Sequence, residues 1–201
     1  MPQHVDRDER KAQIAEGLIR VAAREGLHGV TMRSVAAEAG VSLRLVQYYF
    51  QTKAQLMHDA LEHLERQANE RWAERVVRLP EPYSARAFIE AFFQEALPSD
   101  EPSRIFQLLW TSYAVMAMTD PELAEHPFLD GPNRLERRLV EVLRQAQMDG
   151  ALAPDLDVSA EAATLLTLNH GLGTSVLVGQ RSVEDALAVV RYHLDRLFDP
   201  K

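Results

Sequence analysis

The sequence predicts an all-α protein in which an N-terminal three-helix unit containing a helix-turn-helix precedes a larger helical region. Three observations carry the fold class. Apolar residues recur three and four apart along segment after segment, the spacing that puts them on one face of a helix. Hydroxyl residues stand ahead of those stripes, at Thr31, Ser42, Thr52, Ser84, Ser103 and Ser182, where a side-chain oxygen can take up an otherwise unpaired N–H of the first turn. Gly26, Gly40 and Gly150 or a proline close them, as helix ends require.

The first stripe is Ile14, Leu18, Val21 and Ala22, predicting a helix from about Arg7 to Glu25 that Gly26 stops. It carries Arg7, Arg10 and Lys11, basic residues able to lie near a phosphate backbone. The stretch Thr31 to Lys53 reads as two short helices about a tight turn. Thr31 caps the first, whose small apolar face is Val35, Ala36 and Ala39, and Gly40 turns the chain where a positive φ is needed. Ser42 caps the second. There Val46, Tyr49 and Phe50 share an inward face, which leaves Arg44, Leu45, Gln47 and Tyr48 pointing outward. Such a face suits a major groove: Arg and Gln pair with purine edges, a tyrosine hydroxyl reaches phosphate, and Leu45 meets a thymine methyl. A helical hairpin serving only as core is the plainer alternative, but cap, small face, glycine turn, second cap and aromatic pair in that order argue for a helix-turn-helix.

On Thr31, Val35, Ala36, Ala39, Gly40, Val41, Ser42, Tyr49, Phe50 and Lys53 the segment resembles the N-terminal signature of the tetracycline-repressor (TetR) family. The resemblance covers about the first sixty residues. In the second helix Leu43, Arg44, Leu45, Val46 and Gln47 replace the more usual Lys-Gly-Thr-Leu-Tyr run, a variant similar to the branch containing the choline-responsive repressor of betaine synthesis. The resemblance implies that Thr31, Arg33, Ser42, Leu43, Arg44, Leu45, Gln47, Tyr48 and Lys53 are the DNA-binding set, within a domain of residues 1–53. Lys53 at the start of the next helix would add an ammonium to a helix N-terminus facing phosphate.

From Lys53 to roughly Leu79 a long linking helix is expected, with Leu56, Met57, Ala60, Leu61, Leu64, Ala68 and Trp72 on one face. Being continuous, it would couple the reading head to residues 54–201, the ligand-binding and dimerisation domain. Pro80 and Pro82 end it. Ser84 caps a helix to about Leu97, and Pro98 and Pro102 bracket a loop. A helix from Ser103 to about Met118 is apolar on nearly every face, which predicts burial at the centre of its domain. A looser connection spans 120–132. A helix from about Asn133 to Asp149 turns Leu135, Leu139, Val142, Leu143 and Ala146 inward and leaves Arg134, Arg137, Arg138 and Arg144 as solvated surface. Ser159 begins a helix rich in small residues that runs to about Val178. In the last helix Val183, Leu187, Val190, Leu194 and Leu197 recur at four, three, four and three, the spacing of a packing seam. The two final helices predict a four-helix dimer interface through Leu165, Leu172, Val176, Leu187, Val190, Leu194 and Leu197, where the resembled family also dimerises.

The 201 residues carry a net charge of −8, yet residues 1–60 hold eight Lys and Arg against seven Asp and Glu, net +1, leaving −9 for the remainder. The local field decides affinity for phosphate, so this asymmetry is compatible with one end meeting DNA. There is no cysteine, which excludes disulfides and thiolate chemistry. A polar N-terminus and the absence of a membrane-length apolar run lead us to expect a cytoplasmic protein. No Gly-rich phosphate loop, HExxH or GxSxG is present, and the seven histidines are scattered, so neither an enzyme nor a metal site or cofactor is expected. A pocket for a small apolar or amphipathic effector is expected from Trp72, Phe88, Phe92, Phe106, Trp110, Tyr113 and Met116, with Gln107, Asn169 and His170 as polar anchors. Resemblance to a choline-responsive relative allows a cation over Trp110 or Tyr113. The function expected is therefore a transcriptional repressor that binds a pseudo-palindromic operator as a homodimer and is released by that effector. A DNA-binding architectural protein without a ligand is the alternative.

Overall fold

The first helix of the computed structural model, which describes residues 2–124 and 130–199, starts at Pro2, earlier than its apolar stripe. The elements are α1 (Pro2–Glu25), a 3-10 turn (Leu27–Gly29), α2 (Met32–Glu38), α3 (Leu43–Tyr49), α4 (Lys53–Val77), α5 (Ala85–Ala96), α6 (Glu101–Ala117), α7 (Pro121–Ala124), α8 (Asp130–Met148), α9 (Val158–Leu177) and α10 (Val183–Phe198). The all-α expectation holds: no strand occurs among the described residues. Part of the 120–132 connection, with one of the seven histidines, His126, lies outside those residues.

Contacts divide the chain into two units, Met1–Arg66 with Leu108–Phe128, and Gln67–Gln107 with Leu129–Lys201. In the first, Ile14, Leu18, Val21, Val35, Val46, Phe50, Leu56, Met57 and Leu61 are all buried. α1 packs directly on the end of α2, because a Cβ at Gly17 would stand 2.8 Å from that of Ala39. Gln13 Nε2 donates to the Ala39 carbonyl at 2.8 Å, so the same point of contact also satisfies an end-of-helix acceptor. Arg20 Nε and Arg24 Nη1 reach the Glu38 carboxylate at 2.9 and 3.1 Å. These bonds, Arg20's foremost, hold the Glu38 carboxyl below its ordinary range.

The second unit is built on Phe88, Ile89, Phe92 and Phe93 of α5, Leu139 and Leu143 of α8, Leu165 and Leu172 of α9, and Val190 and Leu194 of α10. Glu95, 4% exposed, accepts from Arg71 Nε at 2.6 Å and Arg75 Nε at 2.9 Å, tying the last turns of α4 to α5.

Several boundaries differ from the sequence reading, for local reasons. α6 begins at Glu101, with Pro102 inside its first turn, where a missing N–H removes no helical bond. Its cap is Asp100, whose Oδ1 accepts from Ser103 N at 2.9 Å, while Ser103 Oγ accepts from Ser99 N and Asp100 N in return. Asp157, not Ser159, caps α9, its Oδ1 accepting from Ser159 N and Ala160 N. α8 starts at Asp130, again with a proline in its first turn. The apolar α6 is also less buried than expected: Leu109 and Tyr113 are covered, but Val115 is 57% exposed, and Ile105, Phe106, Trp110 and Met116 are half-buried. Apolar character all round a helix buries only the positions that neighbours reach.

Candidate nucleic-acid interface and ligand site

α2 and α3 are held by the caps the sequence announced. Thr31 Oγ1 accepts from Ser34 N at 3.0 Å and Ser34 Oγ accepts from Thr31 N at 2.9 Å, a reciprocal capping box. Gly40 takes a φ of 67°, a conformation that costs a residue with a Cβ about 1–2 kcal/mol. Ser42 Oγ accepts from Leu45 N at 3.2 Å. Val46 and Phe50 are fully buried, while Arg44, Gln47 and Tyr48 are exposed, Tyr48 by 77%. Arg33, Ser42 and the cap Thr31 are also exposed, and Leu43 and Leu45 are half-covered. Tyr48 meets Tyr49 edge to face at 5.2 Å between centroids, which restricts where its ring can swing. The outward surface is thus a fork donor, an amide and a phenol on one short rigid helix. Lys53 is more engaged than expected, for its ammonium lies 3.4 Å from the Leu27 carbonyl. Two of its three donors remain for another acceptor.

Other titratable groups gather behind α3. Lys11 Nζ donates to Asp59 Oδ2 at 2.8 Å and stands 5.4 Å from the Phe50 ring centre. His58, Asp59 and Glu62 bring potential ligand atoms within 4.8 Å of one another on one side of α4. That grouping was not legible from histidine spacing, since it recruits neighbouring carboxylates.

The expected ligand set is divided between the two units. Trp110, Tyr113 and Met116 fall in the first, where Tyr113 lines a cavity of about one water's volume with Leu18, Leu27, Met57 and Leu61. Burial pushes the Tyr113 hydroxyl's pKa up. Trp72, Phe88, Phe92, Phe106, Gln107, Asn169 and His170 fall in the second. Trp72 meets Phe88 at 4.9 Å and Phe92 at 5.3 Å, and the Arg138 guanidinium lies 4.7 Å from the Trp72 ring and 5.1 Å from that of Phe88. Arg138, read from sequence as solvated surface, therefore covers an aromatic pair. Gln107 and Asn169 are 6% and 7% exposed, and Gln107 Nε2 and Asn169 Oδ1 have no hydrogen-bond partner among the described residues. A buried polar atom left so costs about 1–3 kcal/mol, which marks both as positions where something polar belongs. Burial drives His170 toward its neutral form.

The expected dimer residues are placed unevenly. Leu165, Leu172, Val190 and Leu194 lie in the subunit's own core, whereas Val176, Leu187 and Leu197 are half-buried. The four-three seam of α10 is in large part an intramolecular one. What α9 leaves outward instead is Thr164, Thr167 and Gly171, a feature hidden in the sequence by the stronger leucine pattern.

The family described as bacterial regulatory proteins of the tetR type matches residues 14–60, and that described as the C-terminal domain of BetI-type transcriptional repressors matches residues 85–199. The chain belongs to the TetR family. Its relatives include the HTH-type transcriptional regulator PksA of Bacillus subtilis, 27% identical over 182 residues that cover 89% of this chain and 83% of PksA. BetI of Burkholderia lata is 30% identical over 128 residues, 61% of this chain, and the match spans 62% of that protein's length. Among solved structures, a TetR-family regulator from a Rhodococcus species superposes with a TM-score of 0.84 at 23% identity, covering 96% of this chain and all of that one. A regulator from Saccharomonospora viridis, solved in complex with choline, gives 0.79 at 24% identity, covering 94% and 96%. At these identities the structural likeness shows the fold. This TetR-family chain is a transcriptional regulator of the BetI type, and regulators of the family are not enzymes. Among the described residues no helix is long and apolar enough to cross a membrane.

Proposed function

We propose that the protein represses transcription by gripping a pseudo-palindromic operator as a homodimer, and that a small effector bound in the C-terminal region loosens the grip. One observation carries the DNA-reading part. α3 is anchored from behind by fully buried Val46 and Phe50 while Arg44, Gln47 and Tyr48 stand in solvent, the arrangement by which a recognition helix presents base-reading groups to a major groove. Thr31, Arg33, Ser42, Leu43, Leu45 and Lys53 complete the contact surface, the hydroxyls and the ammonium on phosphate. Two unpartnered buried amides in the second unit support the effector part. The choline held by the Saccharomonospora viridis protein supports a small-molecule effector too. The effector acts by preferring a conformer in which the two heads no longer match one groove spacing, and it shifts the population only by its difference in affinity for the two. α4, whose residues enter both units, is the element to carry that change.

The test is selection of bound sequences from a random DNA pool, followed by challenge of the selected site with a metabolite library. An enriched pseudo-palindrome with half-sites about one helical turn apart, released by a metabolite, is the expected result. Salt-sensitive binding without enrichment would instead make the protein an architectural DNA-coating factor.

A further inference from the structure

We infer that the effector meets Gln107 and Asn169 with an uncharged hydroxyl or amide group, and that a quaternary ammonium or other cation is the wrong ligand for these two amides. The inference rests on the effector-binding reading above and specifies its chemistry. Trp72 Nε1 and Thr111 Oγ1 are single buried atoms without a partner, and four polar or charged residues are buried as a whole among the described residues: Glu95, Ser103, Gln107 and Asn169. Two are satisfied, Glu95 by Arg71 and Arg75 and Ser103 by the Asp100 cap. The other two are neutral amides, each with an unpartnered atom. They come from one neighbourhood. Asn169 and Gly173 are one turn apart on α9, and a Cβ at Gly173 would meet the Gln107 amide at 2.6 Å. The glycine there leaves room for the Gln107 amide to lie against α9.

An open donor and an open acceptor within about a helical turn of each other along α9 match a group that both accepts and donates. They offer no counter-charge, and a buried cation without one is strongly disfavoured. The buried carboxylate of this unit, Glu95, is already held by two arginines. Burial keeps His170, next along α9, toward neutrality, so it adds no charge. The other way to hold a cation is an open aromatic face. Here the faces of Trp72 and Phe88 lie under the chain's own Arg138, whose charge would repel a second cation. Tyr113, in the other unit, is 2% exposed among leucines and a methionine.

The test uses matched pairs of equal shape on the protein, read by calorimetry and thermal shift: choline against 3,3-dimethylbutan-1-ol, and the carbamoylmethyl-trimethylammonium ion against 3,3-dimethylbutanamide. The uncharged member of each pair should bind at least tenfold tighter. Gln107→Leu and Asn169→Leu should each weaken it at least tenfold, with unchanged circular dichroism. Asn169→Asp supplies a carboxylate in the same shape and should turn the preference toward choline, a readout that a fold defect cannot produce. Tighter binding of the charged members by the wild type overturns the inference and leaves the effector reading standing. Uncharged members that bind equally well to both leucine variants overturn it as well, by placing the site elsewhere. Failure of every member to bind removes the effector reading at these amides and the inference with it.

Discussion

Lys11 of α1 donates to Asp59 of α4 at 2.8 Å while its ammonium stands 5.4 Å from the ring centre of Phe50, the residue that ends α3. One side chain thus ties α1, α3 and α4 together. With side chains 32% and 22% exposed, the pair is partly shielded from water, so it is worth somewhat more than a surface ion pair. Lys11→Met should lower stability by about 1 kcal/mol, read from the urea midpoint. Since this ammonium is engaged at Asp59, the salt dependence of DNA binding should stay as in the wild type. A slope reduced by about one unit would put Lys11 on phosphate instead.

Glu95 is the more heavily buried charge. Glu95→Gln removes the charge and leaves one acceptor oxygen where Arg71 and Arg75 use two, setting an amide N–H against one guanidinium, but those arginines are 30% and 36% exposed and can turn to water. The expected loss is about 2–4 kcal/mol, below the cost of stranding fully buried partners, and urea unfolding measures it. A variant as stable as the wild type would show that the clamp contributes nothing net.

On α3, Gln47→Ala or Arg44→Ala should cost about 1–3 kcal/mol at one base position and relax specificity there. Tyr48→Phe should weaken binding evenly across operator variants, because a phenol on phosphate reads no base. Binding titrations over a panel of single-base operator changes separate the two patterns. Variants indistinguishable from the wild type on every operator would move the reading face off α3.

The cap of α6 gives a pH dependence with a definite sign. The Ser103 hydroxyl and N–H hold the Asp100 carboxyl below its ordinary range, so its stabilisation is complete above the unfolded carboxylate value of about 3.9 and fades as pH falls through the lower folded value. Asp100→Ala should therefore cost about 1 kcal/mol at pH 7, the usual worth of an N-cap. The difference should shrink below about pH 4. A gap that keeps its full size as the pH is lowered until the protein unfolds would mean that the carboxylate's charge is not what the cap uses.

Dimerisation is best tested away from the leucine seam. Leu194 is fully buried within the subunit, so Leu194→Asp should unfold the protein rather than separate subunits. Gly171 is exposed on α9 and a Cβ there meets nothing within 4 Å, so Gly171→Arg leaves the monomer sound and even raises helix propensity by up to about 1 kcal/mol. Sedimentation should show a wild-type dimer and a folded Gly171→Arg monomer. A persistent dimer would place the interface on another face.

Much of the fold was written locally. Thr31, Gly40, Ser42, Ser84 and Ser182 act within a turn of where they stand, and apolar periodicity states directly which face of a helix turns inward, so the helices and the helix-turn-helix were legible from the chain alone. Boundaries failed where a proline is tolerated in a first turn, as at Pro102 and Pro132, or where an acidic residue outcompeted a nearby serine for the cap, as at Asp100 and Asp157. What only the tertiary structure decided is which residues from distant segments meet. Periodicity could not show that Leu165, Val190 and Leu194 are consumed by the chain's own core, that Arg138 lies over Trp72, or that Gly173 leaves room for the Gln107 amide against α9. A helical stripe records that a side chain is buried. The identity of what buries it depends on contacts between segments many residues apart, and those arise only when the chain is packed.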